Sequence, residues 1–445
     1  MHNTTPMNPS LFQVMKKISI ILIFIVLSLG LKAQGCLPEG IIFTTQAQID
    51  SFPVNYPGCT EIEGNVKISG GDIINLNGLE SINIFHDGLE ISNCQSLINL
   101  NGLSSLHSVE NYFSIFNNSG LQNLTGIGNL DSIKERFTIQ FNNLLSNLAG
   151  LNSIIYIGDL TIANNESLTD LSGLENLSSL PYGLDILMNN SLESLGPIGS
   201  ISEIGGNVEI VGNKNLTSLS GLENITSIGG ELLIRQTEKM QSLSGIENVN
   251  SIGGDLRIFD NVALNDLSAL ENTTSIDGSI WIFRNSMLTT LHGLENINPE
   301  SILELHLFAN PILSVCEVQS ICNYLTSPNG VINIDGNLMG CNSEEEVEAA
   351  CLVGQQEMIP DDFCQVFPNP TSGLLRFSFT ITEPTGFSIE IVNSLGQKIN
   401  GPEPGYLSSG ANEIIWNASH LPDGIYYYKL QTDNQTVGGK LILMK

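Results

Sequence analysis

"NKNLTSLSGLENITSIGGELLI" (residues 213–234) is followed by "SLSGIENVNSIGGDLRI" (242–258) and "SALENTTSIDGSIWI" (268–282), one phrase returning every 24 residues. With Leu76 as the first residue of a unit, later units begin at Leu100, Leu124, Leu148, Leu171, Leu195, Leu219, Leu243, Leu267 and Leu291, in steps of 24 and one of 23. Within a unit, apolar residues recur at places one, four, seven, ten, fourteen, sixteen and twenty-two, and asparagine usually holds place nineteen. Leu243, Ile246, Val249, Ile252, Leu256, Ile258, Asn261 and Leu264 show the full pattern. The pair two apart, as in "DLRIF", is the alternation of a short strand; the threefold spacing elsewhere suits bends better than a 3.6-residue helix. A single such coil can bury its apolar side chains only against the coils above and below, so the repetition is itself the core of a solenoid of about ten coils. Asn118, Asn142, Asn165, Asn189, Asn213, Asn261 and Asn285 are expected to stack as a ladder that satisfies backbone groups at a buried corner. The pairs Gly205–Gly206, Gly229–Gly230 and Gly253–Gly254 are expected to supply the positive φ of a tight corner.

At 445 residues and 41% hydrophobic, the chain is long enough for several domains and too apolar to be disordered as a whole. "MKKISIILIFIVLSLGLKAQ", from Met15, has the lysines, apolar run and small residue of a secretory signal peptide, placed at 1–33, and the mature chain is expected to carry no transmembrane anchor. The formal charge of −30 falls to −33 without that segment, whose only charges are Lys16, Lys17 and Lys32; such a field repels phosphate backbones and argues against a nucleic-acid partner. On an exported chain the cysteines read as disulfide candidates. Open solenoid ends need caps, and the cysteines sit where caps belong. Cys36 and Cys59 would close an N-terminal cap and first partial coil (34–75). Cys316, Cys322, Cys341 and Cys351 would close a C-terminal cap (315–355) around a short helix at 317–324, with three pairings possible. Cys94 takes an asparagine place of the ladder and reads as a buried free thiol, and Cys364, in a linker at 356–364, has no evident mate.

"GCTEIEGNVKIS" (58–69) followed by "LNGLESINIFHDGLEIS" (76–92) and its successors resembles the receptor L domain over about residues 36 to 355. That resemblance implies a right-handed, leucine-rich-repeat-like parallel β-solenoid, here the coils at 76–314, which recognises proteins or other ligands through its strand faces and is not an enzyme. Beyond the linker the 24-residue period disappears. "LLRFSFT", "FSIEIVN", "NEIIWNA", "GIYYYKLQT" and "GGKLILMK" alternate with Gly, Pro and Asn turns, the pattern of a small Ig-like β-sandwich at 365–445. "FPNPTSG", "IVNSLGQKI", "LPDGIYYYKL" and a lysine-bearing last strand, in that order, resemble the C-terminal sorting domain of type IX secretion cargo in Bacteroidetes-type bacteria. The resemblance implies engagement of the secretion machinery, passage across the outer membrane, loss of this domain, and attachment to or release from the cell surface. The expected architecture is thus all-β.

The sequence lacks H-E-x-x-H, G-x-S-x-G, P-loop and EF-hand patterns. Its acids are spread through turns such as "GLEN", and His86, His107, His292, His306 and His420 share no ligand spacing. A binding protein with no cofactor or metal is therefore expected, taking an extracellular protein or glycan; a passive surface scaffold and a carbohydrate-active β-helix enzyme are the alternatives. If places fourteen and sixteen point inward, places fifteen and seventeen face outward. Early coils put Glu90, Ser92, Ser114, Phe116, Thr138, Gln140, Thr161, Ala163, Asp185, Leu187, Glu209 and Val211 there, a mixed surface. Late coils put Leu233, Arg235, Arg257, Phe259, Trp281, Phe283, His306 and Phe308 there, with Arg284 adjacent. Residues 34–364 hold only eight lysines and arginines, and three of them fall in this stripe beside four aromatics, the residue types enriched at binding hot spots.

Overall fold

The structure is a computed structural model that describes residues 35–196, 198, 200–354, 364–393, 397–432 and 436–445. The signal-peptide reading of residues 1–33 lies outside the described residues. Thirteen parallel strands, from Ile41–Phe43 to Ile332–Asp335, pair in succession along one side of the rod. The solenoid is longer than the ten coils expected because segments assigned to the two caps contribute further rungs to the same sheet. A second ladder of two-residue strands, such as Ser227–Ile228, Ser251–Ile252 and Ser275–Ile276, runs along a neighbouring side. Midway the two merge into the continuous strands Ser132–Gln140 and Tyr156–Ala163. The pairing shifts there between Ile157 and Asp159, and this irregularity absorbs the one 23-residue step.

Every inward place of the unit at Leu243 is closed to water: Leu243, Val249, Ile252, Leu256, Ile258, Asn261 and Leu264 are 0% exposed. The asparagines form the expected ladder. The Asn118 amide donates to Asn142 Oδ1 (3.1 Å), that of Asn142 to Asn165 Oδ1 (3.0 Å), and that of Asn165 to Asn189 Oδ1 (3.0 Å). Each Nδ2 turns back one coil to a strand carbonyl, as from Asn118 to Ile91, Asn142 to Ile115 and Asn165 to Ile139. One planar amide thus satisfies both a buried donor and a buried acceptor at the corner where the sheet ends. At Thr237 the ladder changes chemistry, the hydroxyl donating to Asn261 Oδ1 at 2.7 Å.

The "GLEN" phrase is a second stitch. The Gly245 amide donates to Glu247 in its own turn (2.9 Å), while Asn248 and Asn272 each donate to a glutamate carbonyl one coil back, at 2.7 and 2.8 Å. These acids therefore serve the turns themselves. Gly245, at φ +115°, needs its glycine twice over, since a Cβ there would also meet the Leu219 carbonyl of the preceding coil. The glycine pairs correct the expectation placed on them. They are absent from the positive-φ positions, and they are glycine because a Cβ on Gly206 or Gly229 would run into the carbonyl of Tyr182 or Gly205.

Both caps contain helix, which the sequence reading placed only in the C-terminal one. Gln46–Asn55 lays Ile49 and Phe52 on the first coils, and Cys36–Cys59 ties the cap with 5.8 Å between Cα atoms. At the other end the expected helix lies slightly later, at Gln319–Thr326, and Glu344–Gly354 adds a second with three glutamates in its first turn, where the helix dipole favours acids. Of the three pairings left open, the fold selects Cys316–Cys341 and Cys322–Cys351. Closing loops of this length stabilises by about 2–4 kcal/mol each. Cys94 is buried and free in the ladder, as expected, its Sγ 3.6 Å from the Ile68 carbonyl. Cys364 belongs to a strand instead of the linker, opposite Phe379. That strand, with Leu374–Ile381 and Gly410–Asn417, forms one antiparallel sheet of the C-terminal sandwich; Thr385–Asn393, Gly424–Thr432 and Thr436–Leu443 form most of the other. No helix among the described residues is long and apolar enough to cross a membrane.

Asn165→Ala removes the partners of the Asn142 amide and the Ile139 carbonyl, which at about 1–3 kcal/mol for each stranded group predicts a loss of at least about 2 kcal/mol in chemical denaturation. Thr237→Asn, which completes the ladder, should instead raise stability by about 1 kcal/mol. A neutral outcome for both would deny the ladder its structural role.

Candidate functional site

The strand alternation holds through the late coils. In Leu232–Arg235, Leu256–Phe259 and Ile280–Phe283 the first and third side chains are buried and the second and fourth half-buried on the outer face. Register places Arg257 beside Trp281 and Trp281 beside His306, while Arg235, Phe259, Phe283 and Phe308 succeed one another in a second column. Apart from His306, which is buried, the sequence-derived stripe is therefore one continuous surface two columns wide.

In-register rungs of a parallel sheet lie about 4.8 Å apart, close to the separation of stacked rings, and both columns use this match. Phe259 and Phe283 stack at 4.3 Å with planes 10° apart, and Phe283 and Phe308 at 4.6 Å and 8°. The Arg235 guanidinium closes that stack 5.3 Å from the Phe259 ring. In the other column Trp281 lies between His306, at 3.5 Å and 8°, and the Arg257 guanidinium, at 5.7 Å. Each cation over a ring contributes about 0.5–1 kcal/mol at a site this open. The flat faces of Phe259, Phe283 and Trp281 are consumed within the stripe, and their edges are what a partner meets.

Carboxylates from adjoining places hold the guanidiniums: Arg257 Nη1 is 3.3 Å from Glu231, and Arg284 Nη1 is 3.8 Å from Asp260. Arg284 occupies the left-handed position before Asn285, at φ +54°, and its guanidinium reaches the Phe283 ring from the corner at 5.7 Å. The Nε atoms of Arg235 and Arg257 are shielded from solvent without a hydrogen-bond acceptor. Unsatisfied donors of this kind cost stability; among the described residues one other buried side-chain polar atom, Asp159 Oδ1, lacks a partner. His306 departs from the expectation of an exposed residue: it is 6% accessible, covered by Trp281 and bonded through Nε2 to Glu304 at 3.0 Å. It supports Trp281 from beneath.

The early coils also differ from the mixed surface expected. Ser92, Ala163 and Val211 are buried, at 1%, 2% and 8%. Asp185 and Glu209 sit side by side on adjacent rungs, with Asp159 close enough to act on Asp185 electrostatically. Burial, then the Glu209 and Asp159 charges, push the Asp185 carboxyl up to about 6, against a hydrogen bond from Thr161 and the charge of Arg136. Reading the acids along the chain missed this group; reading them across adjacent rungs brings Asp185 beside Glu209, with Asp159 on the neighbouring rung opposite Gly183. Arg136, paired with Asp159 at 3.3 Å, borders a shallow depression of about 450 Å³ with Asn111, Tyr112, Glu135 and Tyr182. Among the described residues no three His, Cys, Asp or Glu side chains are grouped so as to hold a metal ion.

Fold and surface together define a capped parallel β-solenoid carrying an ordered aromatic and cationic stripe, followed by an antiparallel sandwich. Residues 202–295 match the Receptor L domain family, a span that includes the stripe from Arg235 to Arg284, and residues 365–444 match the Secretion system C-terminal sorting domain. No curated protein matches the chain. The sorting domain marks the chain for export by the type IX secretion system, to the cell surface or the surroundings.

The carboxyl of Asp185 is raised in the folded chain above its ordinary 3.8 to about 6, so the folded state favours its protonated form. Its contribution to stability is intact below about pH 3.8 and is lost as pH rises through about 6. Asp185→Asn should accordingly raise the melting temperature at pH 7.5 and leave it unchanged or lower at pH 4. Thermal scans at the two values test this, and an equal effect at both would remove the assigned coupling.

Proposed function

We propose that the solenoid is a recognition module delivered to the outer surface of a Gram-negative cell, binding an extracellular protein through the outer sheet face of its late coils. The double stack carries this reading. Folding does not require aromatic or guanidinium groups at places fifteen and seventeen, since Glu90 and Ser114 occupy the first and Ser92 the second in coils of unbroken register. Their concentration on four successive rungs of an acidic chain marks a surface selected for contact, and Trp, Arg and Phe are the residue types that anchor protein interfaces.

The orientation of the rings favours a protein over a neutral glycan. Sugar recognition by stacking uses an open aromatic face, and here the faces of Phe259, Phe283 and Trp281 are already covered by neighbours. What stands outward are ring edges and guanidinium groups, which suit backbone carbonyls and acidic side chains. The stripe is read as a contact surface and not a reaction site, because its one histidine, His306, is closed to solvent by Trp281 and held by Glu304.

Trp281→Ala should weaken binding of the extracellular partner at least tenfold while costing little stability, since it opens an outer-face stack and leaves the core intact. Pull-downs from extracellular material with the native and variant solenoids, alongside a glycan array, provide the check. Equal recovery of the partner by both proteins, or strong glycan binding indifferent to Trp281, would move the site elsewhere.

Maturation is proposed to remove residues 1–33 and about 360–445, because both ends carry address labels with no part in the solenoid core. The intact mass of the surface-shaved or released protein is expected to match this trimmed chain. Retention of "KLILMK" would count against the removal of the sorting domain.

A further inference from the structure

The strand Gly424–Thr432, "GIYYYKLQT", is buried on both faces. Tyr426, Tyr428 and Leu430 belong to the sandwich core with Leu375, Phe377 and Trp416. A two-layer sandwich with its outer side in water would leave Ile425 and Tyr427 exposed, yet they are only 9% and 4% accessible. The C-terminal cap of the solenoid covers them. Ile425 and Tyr427 form a separate buried cluster with Ala350 of the helix Glu344–Gly354, and Val392 packs against it. The Ile425 amide donates to Met339 Sδ at 3.3 Å. Glu317 and Glu346 of the cap add to burial in pushing the Tyr427 hydroxyl well above its ordinary range.

The contact follows from the composition of the cap. The solenoid core reaches the last helix through Val347 and Cys351, whereas Ala350 faces the sandwich instead. Leu338, Met339 and Leu352 keep 46%, 39% and 75% exposure around the same end with the sandwich seated, so the apolar end of the rod extends beyond the contact itself. Such an end invites association. The opposite sheet of the sandwich stays open to solvent, with Leu374 at 52% and Ile415 at 55%.

We propose that the sorting domain, besides addressing the chain for export, is a removable lid on the C-terminal end of the solenoid. Its sheet Thr385–Asn393/Gly424–Thr432 covers Ala350 and contacts Met339 while the domain is attached, leaving Leu338 and Leu352 open. Its removal uncovers that surface only on the delivered protein. The opposite sheet is left free while the lid is seated.

The test uses the full chain from residue 34, with Ile425→Asp on the lid side, Ala350→Asp on the cap side and Ile415→Asp on the open sheet as control. Hydrogen exchange followed by mass spectrometry should show amides in 338–354 exchanging at least tenfold faster in both interface variants. Small-angle scattering should show a larger radius of gyration as the domain swings free. The control should match the native chain in both measurements. If Ile425→Asp also loses protection in 374–381, its sandwich has unfolded, and Ala350→Asp, which leaves the sandwich core untouched, decides alone. Native exchange at 338–354 together with a native radius in Ala350→Asp overturns the lid.

Discussion

An amide at a corner holds this molecule in register. In a solenoid whose coils bury nothing by themselves, a one-residue slip of a rung would turn its apolar places outward, but a two-residue slip would keep each face as it is and is not opposed by alternation alone. The asparagine at place nineteen resists such a slip. Its Oδ1 takes the backbone amide of the preceding coil's asparagine and its Nδ2 the carbonyl of that coil's strand, both 0% exposed, so a shifted rung would strand two buried groups at each turn. The stacking of the outer face depends on that register, since Phe259, Phe283 and Phe308 can meet face to face only when place seventeen lies over place seventeen.

With folding secured from inside, the outer positions of the sheet are free to differ, and they do. Serine, threonine and glutamine in the early rungs give way to a carboxylate group at Asp185 and Glu209, and then to guanidinium and aromatic columns. The same periodicity that stabilises the rod thus arrays whatever chemistry is placed on its surface at a fixed spacing. Rings at that spacing stack on one another, and this turns their edges toward a partner. His306, nearly closed to solvent, is the base on which Trp281 rests.

The two ends of the rod are closed by different means. At the start, a helix and one disulfide cover the first coils with Ile49 and Phe52. At the finish, two disulfides and two helices close the core, and the strand carrying Tyr427 is laid across what remains. A domain read from its motifs as an address label also takes part in the packing of its cargo, and the unbroken run "IYYY" is the mark of a strand covered on both sides.

Periodicity determined the solenoid, the inward places, the asparagine ladder and the change of domain near residue 364, because burial against identical neighbours forces the same residue type at the same place in every turn, and the cysteine clusters marked where the caps lie. The stripe was also legible, since alternation carries which side chains face out. Tertiary structure decided what depends on distances between coils. It paired Cys316 with Cys341 and Cys322 with Cys351, showed that the glycine pairs answer to a neighbouring carbonyl instead of to φ, and set Asp159 and Glu209 on the rungs either side of Asp185. It also closed His306 beneath Trp281 and seated the sandwich on the cap. A repeat encodes which way a side chain points; what it touches there is set by the next coil, by the one irregular step and by a domain outside the repeat.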